Sequence, residues 1–350
     1  MIFTLLLPLL AQAAAAQSSG RAQPDARAPS EIVAAAPASE WVAIRPDDLL
    51  VMELAPDAAG RPRRVAIQLM PPPFSRGWIA NVRTLAKAHW WDGLSINRVQ
   101  DNYVAQWGDA SEKKPLPAEL RQMAEADYAV DQIDIQLAIF GETRSPEAER
   151  SWRDAIDLVA TAPKKGAASV DVQRTRSDRF PEGWHERDAY APWTQFHRGW
   201  PIAIDGRRSS DHLWPVHCYG SVGVGRNLSP DTGTGAELYT VIGHAPRHLD
   251  RNIAVVGRVV EGIEHLSSLP RGTEALGFYK TDAERTPIRS VRLASDLPEA
   301  ERPRFEHLST EGPSFAAYAD ARANRRDAFF IRPAGGADIC NVPVPVRRAR

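Results

Sequence analysis

Residues 90–109 read Trp90-Trp91-Asp92-Gly93-Leu94-Ser95-Ile96-Asn97-Arg98-Val99-Gln100-Asp101-Asn102-Tyr103-Val104-Ala105-Gln106-Trp107-Gly108-Asp109, and this stretch decides the fold. Asp92-Gly93 is a turn signal. Ile96-Asn97-Arg98-Val99 and Tyr103-Val104-Ala105-Gln106 are two short β-rich runs, the second closed by Gly108-Asp109.

Working outward, Leu49–Leu54 and Arg64–Leu69 are further strands, separated by the turn-prone Pro56–Pro62. Pro71-Pro72-Pro73 ends the second of them, because proline cannot donate into a sheet ladder. Ser75 is predicted to cap a helix in which Trp78, Ile79, Val82, Leu85 and Ala86 share one face. Strand character resumes at Cys218–Gly225, Leu238–Ile242 and Ile253–Val259. A short helix follows over about Glu261–Leu269, then a last strand at Ile288–Leu293. Many short strands with few helices predict a mainly β domain, closed or sandwiched. Residues 110–215 break this pattern. They mix a helix predicted over Pro146–Ala160 with long polar and aromatic loops, and read as an insertion without internal repeats.

The 350 residues carry a formal net charge of −1, with a pI near 6.8, and residues 110–165 hold no basic stripe. This gives no electrostatic case for binding nucleic acid. The 28 prolines and 23 glycines favour turns and extended segments over a helical bundle. Ile2–Leu10 is an apolar run followed by Ala11-Gln12-Ala13 and Ala14-Ala15-Ala16, small residues that suit a signal peptidase. The run is too short to span a bilayer, which takes about 20 residues. Residues 1–16 are therefore expected to be a signal peptide and 17–39, rich in Ala, Pro and Ser, a disordered leader. A periplasmic or secreted location follows, and with it a use for the two cysteines. Cys218 and Cys340 lie far apart in sequence, and an oxidising compartment favours one disulfide stapling the C-terminal tail to the body, with two free buried thiols as the alternative.

The opening strands and the helix containing Ala80-Asn81-Val82 resemble the start of the cyclophilin family of peptidyl-prolyl isomerases. Trp91–Val99 resembles that family's (Y/F)(D/N)G(L/T)xFHRV strand, and Tyr103–Asp109 its FxxQGGD. Ala245–Asp250 and Val255–Gly262 resemble APHLDGKYxVFGRVVEG. The resemblance covers residues 45–109 and 216–297. It implies a closed antiparallel eight-stranded barrel capped by two helices, as a domain over 40–297 interrupted by the insertion 110–215. Residues 298–350 then form a C-terminal extension.

The resemblance also implies a chemistry. An X-Pro bond isomerises over a barrier of about 20 kcal/mol, because the twisted amide loses its conjugation. A fixed guanidinium can stabilise that twisted state without nucleophile, metal or cofactor. Matching position to motif, Arg98 takes the place of the catalytic arginine and Gln106 that of the glutamine orienting arginine and substrate. Tyr103 and Val104 stand for a Phe and a Met of the proline pocket. With one residue inserted at Arg247, Glu237 falls where the family has a second Gln, Tyr239 at a pocket Phe and Leu249 at a pocket Leu. The sequence departs from the pattern at Ile253, where many members carry the pocket histidine, and at His248, usually Trp or His. It departs again at Trp107-Gly108 in place of Gly-Gly, and at Glu237 itself.

Other chemistries find no support. His244 and His248 are separated by Pro246, which disfavours a helix aligning them on a metal, and His212 and His217 have no third ligand at a suitable spacing. Gly220–Gly235 lacks the Lys-Ser/Thr of a phosphate loop. His217 and Cys218, neighbours on an expected strand, would face opposite ways and make no thiol–imidazole pair. Two functions are consistent with the sequence. One is a monomeric prolyl isomerase acting on exported, proline-containing polypeptides; the other is a barrel that grips such segments with little turnover.

Overall fold

The computed structural model describes residues 26–131, 188–205 and 212–349. The expected helix over Pro146–Ala160 and the expected signal peptide lie outside them. Eight antiparallel strands close a barrel: β2 (Leu49–Leu54), β3 (Arg63–Leu69), β4 (Ser95–Val99), β5 (Val104–Gly108), β10 (Ser221–Val224), β11 (Leu238–Val241), β12 (Val255–Glu261) and β13 (Thr286–Leu293). Around the barrel they run β10-β11-β5-β4-β13-β2-β3-β12.

The near-continuous apolar runs of β2 and β3 have a tertiary cause. Leu50, Met52 and Leu54 alternate into the barrel with Val65, Ile67 and Leu69. Leu49, Val51 and Ala66 point outward and are buried against Ala294 and Phe305 of the C-terminal segment. Each strand thus buries both faces, which removes the polar alternation of a half-exposed strand.

Helix α2 (Arg76–Lys87) closes one barrel end, burying Trp78, Ile79, Val82, Leu85 and Ala86, the face the sequence predicts. Its start differs in chemistry. Ser75 adopts a left-handed conformation (φ 50°), makes no side-chain cap, and donates from Oγ to the Val255 carbonyl at 2.7 Å, tying the helix to β12. The second expected helix is a single turn, α3 (Glu264–Ser267), with Leu266 in the core.

Outside the barrel, β6 (Val130–Asp131), β7 (Trp193–His197), β8 (Trp200–Ile204) and β9 (His212–Pro215) form a sheet ordered β6-β9-β8-β7. Its Trp200, Ile202, Ile204 and Leu213 join the barrel core. A third sheet pairs β1 (Trp41–Ala43) with β14 (Phe305–Leu308), and β14 with β15 (Val346–Arg348).

Residues 26–39 of the expected disordered leader are ordered. Residues 29–35 form helix α1, started by Pro29, and Ile32 packs with Trp41 and Leu308 beside Phe315 and Tyr318 of α4 (Pro313–Ala323). One buried isoleucine and a helical partner are what the compositional reading lacked. Cys218 and Cys340 are joined in a disulfide, so the C-terminal tail is stapled to the body. His217 and Cys218 lie in the loop between β9 and β10, not on a strand as expected.

Candidate active site

Antiparallel pairing fixes where the polar groups stand. Arg98 on β4 pairs with Gln106 on β5, across a register shift between Ile96 and Arg98. Gln106 in turn pairs with Tyr239 on β11. Ile96, Val99, Ala105 and Trp107 fill the core, while Arg98 and Gln106 remain partly accessible on the outer wall.

Arg98 Nη1 donates to Gln106 Oε1 at 3.1 Å, Nε to the Leu276 carbonyl at 2.7 Å, and Nη2 to Gln100 Oε1. Its guanidinium lies between two rings, 5.7 Å from the Tyr103 centroid and 5.3 Å from that of Phe278. Burial pulls Arg98 below its ordinary pKa, but a guanidinium keeps its charge. Gln106 Nε2 and Asn97 Nδ2 both donate to Glu237 Oε2, each at 3.4 Å. An ionised carboxylate only accepts, so Glu237 determines which way the Gln106 amide faces: nitrogen toward Glu237, oxygen toward Arg98. Burial is the largest influence on Glu237 and raises its pKa. Its carboxylate occupies the space of a missing side chain, since a Cβ on Gly108 would lie 1.9 Å from Glu237 Oε1.

Beside this pair lies a small apolar cluster separate from the main core. Val104, Tyr239 and Val241 are buried in it, with Tyr103, Leu249 and Ile253 packed against them. The structure therefore brings together Arg98, Gln106 and Glu237, and next to them Tyr103, Val104, Tyr239 and Leu249. Ile253, the apparent loss of a pocket histidine, becomes an apolar wall. His248 stacks on Tyr103 with ring centroids 6.4 Å apart.

Tyr239 carries a hydroxyl into this floor, and the structure satisfies it below. Tyr239 Oη lies 3.0 Å from His217 Nε2, and His217 Nδ1 lies 3.0 Å from Asp250 Oδ1. With Nδ1–H donating to Asp250, Nε2 is left to accept from the tyrosine. Arg247 Nε donates to Asp250 Oδ2 at 2.6 Å, and its two Nη atoms clasp Asp188 at 2.7 and 3.0 Å. The His217, Asp250, Arg247 and Asp188 side chains are all at least 95 % buried, so Tyr239 rests on a chain in which bulk water cannot substitute for a lost partner. Burial also pushes Tyr239 well above the usual phenol pKa. Room for its ring comes from Gly223, the cross-strand partner, whose added Cβ would stand 2.4 Å from Tyr239 Cζ.

Sequence reasoning missed this chain. Its members come from the insertion (Asp188), the loop after β9 (His217) and a short helical turn (Arg247, Asp250), and no spacing links them. It also missed Leu276 and Phe278, which the loop before β13 lays over Arg98.

The fold and site together are a closed antiparallel barrel that carries a hydrogen-bonded guanidinium–amide pair beside a small apolar cluster. The model of the cyclophilin type peptidyl-prolyl cis-trans isomerase family matches residues 78–295, and the chain belongs to that family. Among solved structures it is similar to the cyclophilin AquaCyp293 from Hirschia baltica, with a TM-score of 0.56 and 19% identity over 88% of this chain and 93% of that one. A cyclophilin type isomerase from Cryptosporidium parvum, crystallised in the presence of the dipeptide Ala-Pro, is more distant, with a TM-score of 0.33 and 7% identity over 69% of this chain and 98% of that one. No curated protein matches.

Proposed function

We propose that this cyclophilin-type isomerase turns X-Pro bonds in exported polypeptides, with Arg98 stabilising the twisted amide. The observation that carries the reading is the guanidinium of Arg98, held by Gln106 at the edge of the Val104–Tyr239–Leu249–Ile253 cluster. Three of its N–H groups are engaged, by Gln106, Leu276 and Gln100. A guanidinium has five such donors, so two are left for a substrate. As the amide twists, the prolyl nitrogen gains lone-pair density and becomes an acceptor. A donor placed there in advance binds the twisted state better than the planar one, and only that difference accelerates the reaction. The apolar cluster holds the ring of the proline, so that rotation falls on the preceding carbonyl. No covalent intermediate is required.

Export is supported by the apolar run at Ile2–Leu10 with its small-residue flank, and by the Cys218–Cys340 disulfide, which suits an oxidising compartment. Among the described residues no helix is long and apolar enough to cross a membrane.

The alternative is a barrel that grips proline-containing segments with little turnover. It is favoured by the Leu276 carbonyl and Gln100, which claim two arginine donors, and by Glu237. A protease-coupled X-Pro isomerisation assay on wild type and Arg98→Ala separates the readings. Losing about 3 kcal/mol of charge-assisted hydrogen bonding lowers kcat/KM on the order of 100-fold. An inactive wild type refutes the enzyme reading, and equal activity in both proteins refutes the role of Arg98.

A further inference from the structure

A second concavity lies where β12, the outer sheet and the C-terminal segment meet. Its volume is about 400 Å³, and its walls include Met70, Trp200, Ile263 and Val344. That size falls within the roughly 300–1,000 Å³ of small-molecule sites, which are mostly apolar with a few placed polar groups. It shares no residue with the Arg98 site.

Two arginines line this groove, Arg258 and Arg322, and among the described residues no aspartate or glutamate does. The asymmetry is local, because the whole chain has 43 basic and 44 acidic residues. Among the described residues both guanidiniums meet neutral acceptors. Arg258 donates to Gln68 Oε1 from Nε (3.0 Å) and Nη2 (2.8 Å), and from Nη1 to the Gly199 carbonyl (2.8 Å). It lies 4.6 Å from the centroid of the Trp200 ring. Arg322 donates to the Asn341 carbonyl from Nε (2.8 Å) and Nη2 (2.6 Å). Cations held in apolar surroundings are normally paired, because losing hydration costs more than neutral hydrogen bonds return. Burial pulls Arg258 down to about 9.

We propose that this groove binds a small amphipathic carboxylic acid, its carboxylate received by the groove guanidiniums and its hydrocarbon chain by the apolar walls. Each arginine uses some of its five donors and has others to offer a carboxylate. The acid supplies the missing negative charge and fills the volume. Arg258 is the principal partner, being the more desolvated of the two, and Arg322 contributes from the C-terminal segment.

The test is calorimetric titration of the full chain with dodecanoate below its micellar concentration, and with dodecanol as a neutral match. Dodecanoate is expected to bind one-to-one and at least about tenfold more tightly than dodecanol, the worth of one charge-assisted hydrogen bond. Arg322→Gln and Arg258→Gln are expected to weaken dodecanoate binding while leaving dodecanol unchanged, and Arg322→Gln to keep full X-Pro isomerase activity. Absence of dodecanoate binding overturns the proposal, as does equal binding of acid and alcohol. Unweakened dodecanoate binding in Arg322→Gln and Arg258→Gln alike overturns it too. Should Arg258→Gln fail to fold, the acid–alcohol comparison and Arg322→Gln decide alone.

Discussion

Removing the carboxylate of Asp250 should loosen the proposed proline-binding cluster from beneath without touching it. Asp250 accepts three hydrogen bonds: from His217 N at 2.9 Å, from His217 Nδ1 at 3.0 Å and from Arg247 Nε at 2.6 Å. Its side chain is 5 % exposed and that of His217 is 0 % exposed, so water cannot take its place. Asp250→Ala leaves two buried histidine donors without acceptors, each costing about 1–3 kcal/mol. Arg247 keeps its fork on Asp188, which limits the damage to the ion pair. Breaking one partner of a buried pair costs about 3–5 kcal/mol, and that is the expected loss. Against a total stability of about 5–15 kcal/mol the variant should still fold in the cold. Urea unfolding measures it, with an unchanged m-value showing that the loss is one of stability. Isomerase kinetics on the folded variant should show KM rising more than kcat falls, because the Tyr239 floor loses its anchor while Arg98 and Gln106 stay in place. Tyr239→Phe combined with Asp250→Ala should be strongly non-additive, as expected for members of one network. A loss below about 1 kcal/mol in Asp250→Ala, or additive effects of the two substitutions, would refute the supporting role of this chain.

Glu237→Gln tests the carboxylate beside Gln106. Burial raises the folded-state pKa of Glu237, so the folded chain holds this proton more tightly than the unfolded one. The associated stability is present below the unfolded value, about 4.3, and is lost as pH rises through the folded one. Glu237→Gln should therefore gain stability over wild type at pH 7 and little at pH 4. Identical urea midpoints for the two proteins at both pH values would contradict the assignment. Gly223→Ala places a methyl against the Tyr239 ring, which His217 prevents from swinging away. A destabilisation of about 1–3 kcal/mol with a raised KM is expected, and a neutral result by thermal melting and kinetics would show that the ring is free to move.

Much of this protein is legible in its sequence because the deciding information is local. Turn residues at Asp92-Gly93, β-rich runs at 96–99 and 103–106, and a helical apolar face at 78–86 report the conformational preferences of short segments. The same local order carries Arg98 and Gln106, which two strands joined by a short turn bring together by pairing alone. The resemblance over residues 216–297 extends this, as an expectation, to Tyr239 and Leu249.

The remainder depends on groups far apart in the chain. Nothing in the spacing of Asp188, His217, Arg247 and Asp250 announces a buried chain, because a hydrogen bond across 59 residues leaves no periodic trace. The leader reads as disordered from composition, yet Ile32 and Pro29 fold against a helix that begins at Pro313. The runs 49–54 and 64–69 read as strands, but only the C-terminal segment explains why both their faces are apolar. The sequence by itself determined a mainly β domain, and the resemblance carried by its motifs implied the closed barrel and the arginine–glutamine pair. Tertiary structure alone decided what lies beneath Tyr239 and, among the described residues, which buried cation has no carboxylate beside it, because burial is a property of the packed chain.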